Sequence, residues 1–368
     1  MSAFVPERLA LARRLRGYTK RFVAKEVEVS EAALTYWERG RSAPQGEAVR
    51  KLARVLAVPE AFFAREGATV VDHDAVSFRS LRSLTHSNRD RASAAASLSA
   101  QIAAWIDGTY RLPKPALPDL SDAPPEIAAA ELRRVWALGI APLPSTIALL
   151  EHAGVRCFAL GFELPQADAL STWIDETPLV LFNVMKSAER SRNDACHELG
   201  HLVLHRHKAP AGDEAERQAI QFASEFLLPA EAVRRSTPQN VTMTDLLRLK
   251  THWGVSAAMM LKRLSGLELV ADWSTRGLWQ QLAMNGYRSS EPNGRPRERS
   301  QVLDQVVRHL QSSGRKPFVH IAQQLQLSTA DVRQRLEGLL SIEVLDGGAA
   351  DALSASTSDA RALLRLVP

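Results

Sequence analysis

One stretch constrains this chain more than any other: Asp194-Ala195-Cys196-His197-Glu198-Leu199-Gly200-His201-Leu202-Val203-Leu204-His205. It contains the pattern HExxH. In a helix, residues i and i+4 lie on one face, one turn apart. His197 and His201 can therefore grip one zinc ion, with Glu198 projecting beside it toward a water. Zinc lowers the pKa of such a water to about 7, so Glu198 can take its proton and pass it to a leaving amine. Leu199, Leu202, Val203 and Leu204 make the helix apolar around the histidines, and low polarity strengthens a metal's effect on its water. The alternative is a core helix whose histidines are incidental, and the bare pattern does not separate the two.

A catalytic tetrahedral zinc takes three protein ligands and keeps one position open. The next acidic residues are Asp213, Glu214 and Glu216, at the start of a second predicted helix that ends before Pro229. Helical phase separates them. Glu216 precedes Ala219, Ile220 and Ala223 at helical spacing and is expected on their inward face. Glu214 falls in line with Gln218, Gln221 and Glu225, a polar stripe expected to face outward. Glu216 is thus the expected third ligand, because a carboxylate on a buried face is costly unless paired or metal-bound. His205 and His207 are expected to lie too far along the helix to join the first pair, and Cys196 to be a buried thiol off the ligand face.

The net charge of +5 over 368 residues is unevenly spread. Residues 1–65 hold 13 Lys/Arg against 7 Asp/Glu, a net of +6, so the rest of the chain is near neutral. A basic excess confined to one module points to an acidic polymer, most simply duplex DNA. The same module reads as five short helices. Leu9, Leu11, Ala12 and Leu15 form a helical stripe closed by Gly17; Thr19 and Ser30 are N-caps; Gly40 closes the third helix. With Phe22, Val23, Val29, Leu34 and Trp37 as interior, the second and third helices make a helix-turn-helix.

Two resemblances follow from these residues. RLALARRLRGYTKRFVAKEVEVSEAALTYWERGRSAP…LARVLAVPEAFF is similar to the Cro/CI-type (XRE) DNA-binding domain. That resemblance implies that the third helix enters the major groove, with Glu31, Ala32 and Thr35 toward base edges and Lys20, Ser30, Arg39 and Arg41 toward phosphates. HELGHLVLH followed by ExxAxxFASEFLLP resembles the ImmA/IrrE family of zinc metallopeptidases. The resemblance implies zinc on His197, His201 and Glu216, with Glu198 as catalytic base. It also implies a polar partner for a zinc histidine four residues after the third ligand, where this chain has Ile220.

The remainder sets the expected organisation. Residues 67–125 read as a helical connector, strand-like at VSFRSL, ending in a stretch with five prolines between Pro113 and Pro125 that is extended and semi-rigid. Residues 126–285 read as the peptidase domain. Helices are expected at 126–137 and 144–153, then strands VRCFAL, ALSTWI and PLVLFNV, then the HExxH helix, with Asp194 a capping or supporting residue. Residues 286–368 begin with a polar basic loop, RSSEPNGRPRERS, expected to be solvated. A second helix-turn-helix-like unit around IAQQLQLSTADVRQRLEGL follows, either a DNA contact or a helical cap, and then a flexible tail. No run of about 18 apolar residues predicts a membrane span, no signal peptide is read, and two cysteines cannot build a disulfide framework.

The expected fold class is mainly α, α+β: a five-helix helix-turn-helix domain at 1–66, a zincin-like (gluzincin-type) domain with a small antiparallel sheet, and a helical C-terminal region. The expected function is a cytoplasmic regulator that binds double-stranded DNA and uses Zn2+ to cleave a repressor protein, or itself, in stress response or mobile-element control. A homodimer is left open, and no membrane partner is expected. The alternative is a transcription factor whose zinc domain senses or binds a partner without cutting.

Overall fold

The computed structural model describes residues 4–65, 85–161, 164, 167–207, 213–287 and 290–345, with the backbone of 365–366. The chain forms two compact units. One comprises Met1–Pro115, Gly154–Val184 and Arg299–Pro368; the other comprises Ala116–Ala153 and Met185–Glu298. The division does not follow the expected limits at 66, 125 and 285. The sheet and the C-terminal helices join the N-terminal module in one unit, and the HExxH helix belongs to the other.

The N-terminal helices follow their caps. α1 (Pro6–Arg16) starts on a proline and stops at Gly17, whose φ of 66° needs no Cβ. α2 (Lys20–Val27) is capped by Thr19, which accepts from Phe22 N at 3.1 Å, and α3 (Glu31–Glu38) by Ser30, which accepts from Ala33 N at 3.1 Å. α4 (Glu47–Val55) and a 3-10 turn (Glu60–Ala64) complete the five expected segments. Leu9, Val23, Leu34, Leu52, Phe62 and Phe63 fill the core. Phe22, expected inside, is 41% exposed and rests against the Tyr18 ring. This module is not an isolated bead. α5 (His86–Thr109) packs on α1, its Ala92, Ala95 and Ala96 are buried, and Arg91 donates to Arg16 O at 2.8 Å. The strand-like start VSFRSL lies outside the described residues.

After the two-residue strand β1 (Tyr110–Arg111), the proline-rich stretch is less free than a linker. From Ala116 onward it lies on its own unit: Ala116 N donates to Ala153 O and Leu120 N to Val203 O, and Leu117 is buried. Pro125 opens α6 (Pro125–Val135), and α7 is Thr146–His152. Back in the first unit come β2 (Arg156–Ala159), β3 (Ala169–Ile174) and β4 (Thr177–Phe182). β3 and β4 form a hairpin with Leu170 opposite Leu181. β2 runs parallel to β4, with Cys157 opposite Val180, so the sheet is mixed rather than antiparallel as expected. A tight turn permits only antiparallel pairing, whereas β2 reaches β4 by way of β3 and is free to run either way.

The second unit is helical: α8 (Ala188–Leu204), α9 (Glu214–Leu227), α10 (Ala230–Ser236), α11 (Met243–Trp253), α12 (Ala257–Gly266) and α13 (Asp272–Met284). Met260, Leu261 and Leu264 of α12 are core, as their spacing suggests. The basic loop expected to be solvated is instead pinned. Glu298 pairs with Arg192, which is 1% exposed, and accepts from Thr146 N at 2.7 Å. Glu291 lies 3.1 Å from the buried Lys250 Nζ, and Arg297 donates to Ser191 and to Lys186 O. Among its described residues, Glu291, Arg297 and Glu298 find partners distant in sequence, which composition does not reveal.

α14 (Gln301–Ser312), α15 (Pro317–Leu325), α16 (Thr329–Leu336) and α17 (Ile342–Leu345) return to the first unit, where β5 (Arg365–Leu366) pairs with β1. Asp331 of α16 takes both ends of the Arg16 guanidinium at 2.6 and 2.8 Å, and the buried Arg335 donates to Leu160 O. The remaining tail lies outside the described residues. Among the described residues no helix is long and apolar enough to cross a membrane.

Candidate metal centre and nucleic-acid interface

α8 begins earlier than its motif suggests. Ser187 is the N-cap, accepting from Arg190 N at 3.2 Å, so Asp194 sits inside the helix and pairs with Arg190 at 3.0 Å rather than capping it. α9 lies close alongside α8. A Cβ on Gly200 would stand 3.1 Å from Phe222 Cδ1 and 3.3 Å from Ala219 Cα, so the glycine between the two histidines permits the approach. Arg133 of α6 donates to Phe226 O at 2.5 Å and holds the far end of α9.

This approach brings three side chains together. His197 Nε2 is 3.2 Å from His201 Nε2 and 3.3 Å from Glu216 Oε2, and His201 Nε2 is 3.2 Å from Glu216 Oε1. Glu216 Oε1 is buried and yet accepts no hydrogen bond of good geometry. Donors bound 2.0–2.1 Å from a tetrahedral zinc stand about 3.3–3.4 Å apart, so this donor set and spacing fit the ion. Glu198 is 1% exposed. Cys196 is buried, and burial pushes its thiol up to about 12, leaving it unreactive.

The electrostatics follow from burial against charge. Burial pulls the His197 pKa down, but Glu216, Glu198 and Asp194 outweigh it and raise the value. His201 is more deeply buried and falls to about 4 despite Glu216. Burial would raise the Glu216 carboxyl, but the two imidazoles beside it hold it well below the ordinary carboxylate range. A carboxylate between two histidine nitrogens has the charge and the lone pairs that a divalent cation needs.

Two expectations about α9 fail. Ile220 is 46% exposed rather than inward, because the buried face runs through Ala219, Phe222, Ala223 and Phe226. The supposedly outward polar stripe is largely engaged: Glu225 pairs with Arg263, and Gln218 Oε1 is 2.9 Å from His205 Nε2. His205 does not join the metal-facing group, as expected, but its Nδ1 lies 3.0 Å from His201 Nδ1, a contact the sequence reading missed. Four-residue spacing from 197 to 201 to 205 was the available signal.

On the N-terminal module, Glu31, Ala32, Ser30, Arg39 and Arg41 are exposed, and Lys20 and Thr35 are half-buried. Lys20 Nζ lies 3.4 Å from Glu38, which Arg13 also holds. Ser30 spends its oxygen on the α3 cap, leaving its O–H able to donate. Trp37 and Leu34 are core. Tyr36, 47% exposed with Arg41 over its ring at 5.8 Å, joins this face and was missed, although it stands one helical turn after Ala32.

Comparison with known families matches residues 9–63 to the helix-turn-helix family and residues 150–265 to the IrrE N-terminal-like domain, a peptidase family. Comparison with curated proteins gives no match. The chain therefore joins an XRE-type helix-turn-helix DNA-binding domain to an ImmA/IrrE-type domain of the metallopeptidase family.

Proposed function

We propose that this protein is a DNA-bound regulator whose zinc-dependent peptidase domain cleaves a repressor protein, in the cytoplasm, to relieve repression under stress or on induction of a mobile element. The observation that carries the reading is the convergence of His197, His201 and Glu216 on one point beside the buried Glu198. His197, His201 and Glu216 would hold zinc, which when bound supplies Lewis acidity for a peptide carbonyl and makes water a usable nucleophile near neutral pH. Glu198 takes a proton from the attacking water and returns it to the leaving amine. The helix-turn-helix brings the domain to an operator through Glu31, Ala32 and Thr35 at the bases and Lys20, Ser30, Arg39 and Arg41 at the phosphates. A repressor sharing that operator meets a raised local concentration of peptidase, as does a second copy in a homodimer.

Of the two segments weighed for self-cleavage, the described residues favour one. The loop at 290–298 is pinned by Arg192 and Lys250 and is a poor substrate, whereas 41–46 is an exposed turn apart from Pro44. The competing reading, a zinc domain that senses without cutting, drew its support from Ile220, and that side chain is exposed. The deciding experiment is mass spectrometry of the purified chain and of co-encoded helix-turn-helix proteins, with zinc and DNA, beside Glu198→Gln. A zinc-dependent cut absent from Glu198→Gln is expected. Intact masses in every condition would leave the sensor reading. About one zinc per chain should also be lost in the His197→Ala/His201→Ala double variant.

A further inference from the structure

A third histidine extends the pair. His197, His201 and His205 follow one another at four-residue spacing, and the contacts continue past the metal-facing atoms. His201 Nδ1 lies 3.0 Å from His205 Nδ1; His205 Nε2 lies 2.9 Å from Gln218 Oε1; Gln218 Nε2 donates to Glu214 Oε1 at 2.9 Å. Glu214 also accepts from Arg217.

The direction of each bond can be worked out from the far end. A carboxylate only accepts, so Gln218 must turn its NH2 toward Glu214. Its carbonyl oxygen then faces His205 and only accepts, so the His205 proton sits on Nε2. A neutral imidazole with a proton on Nε2 presents a lone pair at Nδ1. That lone pair takes the Nδ1–H of His201. With its proton held on Nδ1, His201 has a bare Nε2 aimed at Glu216 and His197. A metal ligand needs that tautomer. Both nitrogens of His205 are used in this chain, so His205 is not itself a fourth ligand.

We infer that His205, oriented by Gln218 and Glu214, is a positioning residue that fixes the tautomer and ring angle of His201 for metal binding. The inference rests on the zinc reading of His197, His201 and Glu216. It places the supporting polar group one turn further along α8, rather than at the exposed Ile220 of α9. Gln218 and Glu214 lie on the same helix as the third ligand, so the relay ties both ligand-bearing helices to one hydrogen-bond sequence.

The test measures zinc dissociation constants of the full chain by competition with a chromophoric chelator. It compares wild type, His205→Phe, His205→Gln and Gln218→Leu, each checked for fold by circular dichroism. His205→Phe keeps a ring but removes the acceptor and should weaken zinc roughly 10–100-fold. His205→Gln, which returns an acceptor oxygen, should recover part of that loss. Gln218→Leu should lose less than His205→Phe, because the His205 tautomer is then unenforced but still available. In nitrogen-15 histidine spectra of the zinc-loaded wild type, the His201 proton should sit on Nδ1 and couple to His205 Nδ1, a signature that general loosening would not produce. Wild type that binds zinc, with folded His205→Phe binding it equally tightly, overturns this role and spares the metal centre. No coupling between the two Nδ1 atoms also overturns it. Wild type that takes up no zinc overturns the metal centre and this inference together.

Discussion

The helix pairs α2–α3 and α15–α16 share one local plan and have different surroundings. Each first helix ends in a left-handed residue, Glu28 at φ 61° and Gln326 at φ 54°. Each second helix starts at a serine whose hydroxyl accepts the third amide at 3.1 Å, Ser30 from Ala33 and Ser328 from Asp331. Each second helix is eight residues long. Yet α3 turns Glu31, Ala32 and Tyr36 to solvent, whereas α16 buries Asp331 against Arg16 and Arg335 against Leu160 O. Turn chemistry specifies a helix pair, and the charge partners decide whether the pair faces a ligand or holds a core. The first pair leaves its second helix open to solvent, and the second pair is tied down by charge partners within its own unit.

Substitutions can break this contrast. The largest effect is expected on stability. Asp331→Ala removes the carboxylate that takes both ends of the Arg16 guanidinium, and breaking a largely buried charge pair by removing one partner costs about 3 kcal/mol or more. Thermal unfolding should show that loss; an unchanged midpoint with weakened DNA binding would make α16 a reader after all. Next comes Thr35→Ala, which should leave the unfolding midpoint alone but relax base preference by about 1–3 kcal/mol at the position it faces, as read by binding to a library of duplexes. Lys20→Ala should weaken all duplexes alike and reduce the salt slope by about 1, checked by titration at several salt concentrations. The smallest effect is expected from Arg333→Ala on α16, whose exposed pair with Glu337 is of a kind that contributes little. Neither unfolding nor DNA affinity should change measurably, and a loss of affinity there would favour two DNA-reading units. Point substitutions suit this contrast better than deletion of residues 1–65, because α1 also supports α5.

Much of the candidate site was legible in the chain. The His197/His201 pair needs only helical periodicity, and Glu216 was selected by its phase against Ala219 and Ala223, which are indeed buried. The same phase argument misplaced Ile220 and Gln218. A helix flank of intermediate burial is assigned by what packs there, and the partner of Gln218 is a histidine on another helix. The basic loop was misread for a similar reason, since Arg192 and Lys250 lie far from it in sequence.

Local chemistry therefore settled what local chemistry controls. The caps at Thr19, Ser30 and Ser328, the stop at Gly17, the hairpin of β3 and β4 and the four-residue histidine spacing all act within a few residues, where the sequence is its own environment. Tertiary structure alone decided the parallel pairing of β2, the grouping of the sheet with the helix-turn-helix and the C-terminal helices, the burial of Asp331, and the His201–His205–Gln218 contacts. Each depends on segments brought together across long loops. There, polar groups find the partners that burial demands, and these partners lie beyond any local sequence pattern.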